Sequence, residues 1–345
     1  MKAANRYQKQ VLFQGIGQDG QRRLGDRSVL LVGCGALGCV LADSMVRAGV
    51  GRVHIVDRDF VEYSNLQRQT LFTEQDVADH LPKAVAATRR LQLVNSEIEI
   101  VGTVADVDFS NVRQLVDGVD LILDGTDNFE IRYLLNDVSL DSGIPWIFTG
   151  CTGSHGQMMP VFPGTSACLR CLMQNPPPPG STETCDTAGV LGPAINVIAS
   201  LQAAMALKIL AGHSDQVPRQ LTIVDVWDLT FRKMNVAPLK ESGGCPACDR
   251  GERLWLEGTQ TSGSTVLCGR NAVQVAPAEK TVLSLEELAI RLESAGTVTS
   301  NPFLVRVAMA DSDLEMTVFP DGRAIVKGTE DAGVARAVYS RYIGV

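Results

Sequence analysis

The sequence is poor in several features, and each shortage excludes a class of protein. The amino terminus, MKAANRYQKQ, has none of the apolar stretch of a secretory signal, and no window approaches 18 consecutive apolar residues. A cytoplasmic location and no membrane partner are therefore expected. Positive charge is in deficit, with 31 Lys and Arg against 39 Asp and Glu and a net charge of −8. Nucleic acid, which calls for a basic field, is not an expected partner. There are 4 histidines, His54, His80, His155 and His213, too scattered to make a histidine metal centre. The 9 cysteines in 345 residues fall short of the disulfide framework of small secreted domains, so they read as thiols or metal ligands. Internal repeats and coiled-coil heptads are absent.

What is present is a strand and helix alternation. SVLLVGCGALGCVLADSMVRAGVGRVHIVDRD predicts a buried strand at 29–32, a turn through Gly33, Gly35 and Gly38, and a helix to about Ala48. A second strand, 52–56, ends at Asp57, 19 residues beyond the third glycine. Further strands are expected at 97–103, in VDLILD and in IPWIFTG, with helices at about 83–95 and in IRYLLNDVSLDSG. The alternation implies an α/β protein with a mostly parallel sheet covered on both faces. After Gly150 come GQMMPVFPG as an exposed or antiparallel strand, a Pro-rich loop over 174–190, a helix from about Gly192 to Leu210, and LTIVDVWD as a strand. Residues 251–269 are polar and read as a linker, and 270–345 as a small α/β domain with a tight turn at PDG.

GxGxxG is weak evidence alone, but here it follows a strand, opens a helix and precedes a strand ending in Asp57. Glycines let backbone approach phosphate, and a helix amino terminus favours negative charge. Either NAD or ATP would satisfy Gly33, Gly35, Gly38 and Asp57. The residues downstream favour ATP: Asn65 and Arg68 in SNLQRQ, Lys83 in LPK, and Asp127 in GTDN at a strand end. Two cations for a polyphosphate and a carboxylate for its magnesium fit nucleotide cleavage better than hydride transfer. Each also has a plain structural reading: Arg68 as a surface salt bridge, Lys83 as a solvated lysine at a helix start, and Asp127 as a helix cap.

Cys168 and Cys171 form one CxxC pair and Cys245 and Cys248 another, with 73 residues between the pairs. Neither sits in the strand-then-helix context of a redox dithiol. Together they match a tetrahedral structural zinc site with no open position.

In order along the chain, RYQKQ, SVLLVGCGALG, VDRD, SNLQRQTLF, DGTDN, CLRC, TCDTAGVLGPAINVIASLQAAMALKIL and CPAC resemble the ubiquitin-activating-enzyme superfamily. The likeness is to its bacterial MoeB/ThiF/HesA-like adenylyltransferases, and it covers about residues 5–250. The resemblance implies a Rossmann-like ATP-binding domain over 1–250 with structural zinc. It also implies ATP-dependent adenylylation of the terminal glycine carboxylate of a ubiquitin-like sulfur carrier, in thiamine or molybdenum-cofactor synthesis. On that likeness Asp57 binds the ribose, Asn65, Arg68 and Lys83 contact the phosphates or the developing charge, Asp127 holds magnesium, and Asp59 and Asn128 are among the ATP-binding residues. Arg6 and Lys9 would reach into the active site of a homodimer partner; Cys185 would either carry an acyl or disulfide link during delivery from a sulfur donor, as in ThiF-like members, or be dispensable, as in MoeB-like members. The chain departs from the family pattern at Lys9, commonly Arg, and at His80-Leu81-Pro82, where a glycine-containing approach to the lysine is usual. A non-catalytic adaptor binding a ubiquitin-like protein is the alternative; an NAD-dependent oxidoreductase is a poorer one.

Overall fold

The computed structural model describes residues 6–177, 188–260, 264–267, 271–277 and 282–343. Strand β1, Ser28–Val32, is buried at every residue because SVLLV gives apolar or small side chains to both sheet faces. It ends at Gly33, whose φ is +85° and where a Cβ would lie 2.8 Å from the carbonyl oxygen of Gly125, so only glycine fits. Helix α1, Ala36–Ala48, follows and is terminated by Gly49 in the left-handed conformation.

Strand β2, Arg52–Asp57, lies parallel to β1 with Val32 opposite Val56. Helix α2, Lys83–Val94, leads to β3, Glu99–Val104; β4, Leu121–Asp124, leads through helix α3, Phe129–Ser142, to β5, Trp146–Thr152. The strand order β3-β2-β1-β4-β5 is parallel throughout. The chain leaves β1 to one side and returns to its other side at β4. Open sheets bind ligands at such a reversal, outside the carboxyl ends of the strands.

Three antiparallel strands extend this sheet: β6, His155–Val161, β7, Gln220–Asp225, and β8, Thr230–Asn235. The sequence pattern does not reveal β8, because TFRKMN is exposed at every residue and shows no alternation toward a core. Helix α4, Gly192–Leu210, is apolar and long enough to cross a membrane by composition. It serves instead as a core helix, packed on β5, β6 and α1 with Ala194, Ile195, Ile198 and Ala199 buried.

The expected linker at 251–269 is divided between two compact units, Met1–Gln260 and Thr261–Val345. Trp255 and Leu256 are buried in the first unit, with the Trp255 ring 4.4 Å from that of Tyr133 and the Trp255 backbone N–H donating to Asp137 Oδ2 at 3.0 Å. Burial pushes the Asp137 carboxyl up to about 6. Two apolar side chains in a polar stretch carry no periodicity, so their burial is invisible in sequence. Ser264–Leu267 is already a strand, β9, of the second unit.

That unit is a six-stranded sheet, with β10 Ala272–Val275, β11 Gly296–Asn301, β12 Leu304–Met309, β13 Glu315–Val318 and β14 Ala324–Lys327. Their order is β11-β12-β13-β14-β10-β9. Helices α5, Leu285–Leu292, and α6, Ala332–Tyr342, contribute Leu288, Leu292, Ala335 and Tyr339 to its core. The PDG turn forms as expected, with Gly322 at φ +81° and its N–H donating to Phe319 O.

Candidate active site

The glycine turn, Asp57 and the loop after β4 converge at the sheet's reversal point. A Cβ at Gly38 or Gly125 would strike the carbonyl oxygen of Gly33, so the three glycines permit a close backbone stack. Asp57 accepts hydrogen bonds from Cys34 N–H at 2.6 Å and Asp59 N–H at 2.7 Å, pinning the turn to the end of β2. Burial pushes its carboxyl up, while the Lys83 charge pulls the other way.

Lys83 is not a solvated helix-start lysine. It is 2% exposed, and its Nζ pairs with Asp59 Oδ2 at 3.1 Å. The chain approaches it through His80, which adopts φ +48° and so supplies the left-handed turn that a glycine would make easily. Leu81 N–H then donates to Asp76 O and Lys83 N–H to Asp59 O. The departure at His80-Leu81-Pro82 leaves the lysine beside Asp57 and Asp59.

Asn65 is buried and caps a single turn, its Oδ1 accepting from Glu62 N–H at 3.1 Å. Arg68, half-buried, donates to Ser64 O at 3.0 Å rather than forming a salt bridge. The turn carrying both packs on the start of α4, where a Cβ at Gly192 would be 3.6 Å from Gln67 O.

The helix cap at α3 is Asn128, whose Oδ1 accepts from Glu130 N–H at 2.7 Å. Asp127 is exposed and its side chain has no hydrogen-bond partner among the described residues. A carboxylate is a donor that could hold magnesium together with phosphate oxygens.

Arg6 is not brought to this pocket in its own chain. Its Nη1 donates to Val94 O and its Nε lies 3.6 Å from Glu97, at the far end of α2 from Lys83. That helix alone separates them by about 16 Å. Lys9 is exposed on a short helical turn, Gln8–Val11. Cys185 and most of the 174–190 loop lie outside the described residues.

The four paired cysteines meet. Their sulfur atoms all lie within 4.8 Å of one another, with Cys168–Cys245 at 3.7 Å, Cys171–Cys168 at 3.8 Å and Cys171–Cys248 at 3.4 Å. A tetrahedron of Zn–S bonds of about 2.3 Å has edges of about 3.8 Å, so the donor set fits structural zinc.

Sequence reasoning missed the buried ion pair beneath the Asp127 loop. Asp124 is fully buried, and its Oδ2 accepts from Arg132 Nε at 3.2 Å and Thr149 N–H at 3.3 Å. Burial pushes the carboxyl up against the opposing Arg132 charge. The available signal was a charged residue inside a helix whose neighbours, Ile131, Tyr133 and Leu134, are apolar.

The ThiF family model matches residues 7–247. The chain belongs to the ThiF family. Over 340 residues it is 41% identical to a Bacillus subtilis protein named sulfur carrier protein ThiS adenylyltransferase, covering 98% of this chain and 99% of that one. A sulfur carrier protein adenylyltransferase of Thermus thermophilus is 38% identical, covering 71% and 90% of the two chains. The crystal structure of E. coli MccB superposes with a TM-score of 0.60 at 24% identity, covering 71% of each chain, which speaks for the shared fold. The matched residues take in the glycine turn, the Asp127 loop and three of the four paired cysteines, Cys168, Cys171 and Cys245. The full-length match to the Bacillus relative extends the likeness through the second unit.

Proposed function

We propose that this chain is an ATP-dependent adenylyltransferase acting on the carboxy-terminal glycine of a ubiquitin-like sulfur carrier, in the cytoplasm, toward thiamine or molybdenum-cofactor synthesis. The observation carrying this reading is the 41% identity to the ThiS adenylyltransferase across both units. A carrier carboxylate oxygen attacks the α-phosphorus of ATP, and pyrophosphate leaves. The protein's task is to hold two anions in line and screen their charge, not to supply a base. Asp57 and Asp59 face the ribose, the glycine turn the phosphates, and Lys83 exchanges Asp59 for phosphate oxygen. Magnesium held by Asp127 would neutralise charge gathering on the leaving pyrophosphate. Isotope exchange between pyrophosphate and ATP tests the reading: it should require the carrier's terminal glycine, and carrier-independent or absent exchange would reject it.

The carrier docks, in this reading, at the free edge of β8 and the turn before it. Trp227 is 77% exposed, and Leu229 is 87% exposed at φ +51°. An apolar, β-carbon-bearing residue held exposed in a left-handed turn is costly to keep unless it is used. Among the described residues no strand pairs with the outer edge of β8, and such an edge can accept a partner strand. Leu229→Gly should raise stability by about 1 kcal/mol in urea unfolding by relieving the turn. The same change should raise the KM for carrier about tenfold, the loss of one buried apolar anchor. A stabilised variant with unchanged carrier KM would place docking elsewhere.

A homodimer supplies Arg6 and Lys9 to the partner's pocket. Leu12 and Phe13 are exposed beside that segment, and α4 leaves Val197, Ser200 and Ala204 exposed. Light scattering should give a dimer mass at micromolar concentration; an active monomer would end this arrangement.

A further inference from the structure

The loop that presents Asp127 is held from below by groups that do not line the pocket themselves. Thr126 is bound at three points. Its N–H and its hydroxyl donate to Asp124 Oδ1 at 2.9 and 2.7 Å, and its carbonyl accepts from Arg132 Nη2 at 2.7 Å. Arg132 is itself fixed by Asp124 and by the rings of Phe129 and Phe148, 5.4 and 5.5 Å from its guanidinium carbon. Gln202 of α4 completes the frame, its Nε2 donating to Asp124 O at 3.1 Å and to Ile147 O at 3.2 Å. On the other side of Asp127, Asn128 is committed to capping α3. Asp127 thus has a fixed residue on each side, while its own carboxylate is unengaged among the described residues.

A buried ion pair is a poor device for stability alone, since apolar residues of similar shape often serve as well or better. Asp124 is 0% exposed and Arg132 6%, so this pair bears that desolvation cost. Apart from the one that Asp124 Oδ2 accepts from Thr149 N–H, the pair's side-chain hydrogen bonds to other residues go to Thr126 of the Asp127 loop. We infer that Asp124 and Arg132 are positioning residues for adenylylation, which set the Asp127 carboxylate against the glycine turn without touching substrate. The inference rests on the adenylyltransferase reading. It also accounts for Gly125, where a Cβ would strike Gly33 O: the loop is pressed onto the glycine turn, and the ion pair keeps it there.

The test uses the full chain, with Asp124→Asn, Arg132→Lys and Arg132→Met. Probes are ATP alone in calorimetry and Bacillus subtilis ThiS as carrier in pyrophosphate exchange. Displacement of a reacting group by about 1 Å costs on the order of 100-fold in rate. Each variant should therefore lose about 100-fold in kcat while its ATP Kd and carrier KM stay within about threefold, since the glycine turn and Lys83 are untouched. The magnesium concentration for half-maximal exchange should rise. Arg132→Lys should recover little, because a single ammonium cannot reproduce the planar two-point contact to Asp124 and Thr126. Zinc content and thermal unfolding report folding; if Arg132→Met does not fold, Asp124→Asn, which keeps the side chain's shape, carries the test. Folded variants with wild-type kcat, or with ATP affinity lost in step with kcat, overturn the positioning role. A wild-type chain that shows no carrier-dependent exchange overturns the adenylyltransferase reading and this inference with it.

Discussion

Asp127→Ala should abolish carrier-dependent pyrophosphate exchange, a loss of at least about 1,000-fold, whereas Cys185→Ala should leave that exchange nearly intact. The two residues belong to different stages. Adenylylation accumulates charge on the leaving pyrophosphate, and Asp127, exposed and without a side-chain partner among the described residues, is the carboxylate proposed to hold a magnesium ion there. A cysteine has a role only after the carrier carboxyl is activated, as a nucleophile forming an enzyme-bound acyl or disulfide link. The cysteine variant should therefore fail in sulfur delivery and not in exchange. Both reactions need to be measured on proteins of equal zinc content. If Cys185→Ala lost exchange as fully as Asp127→Ala, the two-stage assignment would be wrong. Unimpaired sulfur delivery would restrict the enzyme to adenylylation alone.

Loss of the cysteine tetrad should be the most damaging structural change. A structural zinc site contributes apparent binding free energy of about 10 kcal/mol or more, and a domain of this kind has a total stability of about the same size. The tetrad joins the segment after β6 to the segment after β8, and Cys168 and Cys245 lie in the main core of the first unit. Beside it, Arg170 reaches Glu252 at 3.2 Å and lies 5.3 Å from the Trp255 ring, so the stretch 245–257 depends on the same anchor. Cys245→Ser, or a strong chelator under reducing conditions, should release one zinc per chain and lower the thermal midpoint by more than 10 °C. Elemental analysis with near-UV circular dichroism would follow both. Reduced protein without zinc, yet with an unchanged melting curve, would remove the metal from the account.

How much was legible in the chain depended on whether the signal was local. The turn at Gly33, Gly35 and Gly38 could be read because a tight turn from strand to helix needs absent side chains at short spacing. The cysteine tetrad could be read because four thiols in two CxxC pairs have few other uses. Lys83 was legible as a residue but not as a buried one: its neighbours in sequence do not show that Asp59, 24 positions earlier, meets its ammonium. Asp127 could be read in sequence as a helix cap, but the backbone gives the cap to Asn128.

The chain's own pattern was sufficient for the α/β class, the nucleotide turn, the metal-binding thiols and the family, since each rests on residue types at fixed short separations. It was silent about β8, whose residues are all exposed, and about the burial of Trp255, whose ring partner Tyr133 is more than 100 residues away. Folding alone paired Asp124 with Arg132 beneath Thr126 and left Asp127 without a side-chain partner among the described residues. Such pairings are chosen by desolvation and three-dimensional packing, which act between surfaces and leave no periodic trace along the chain.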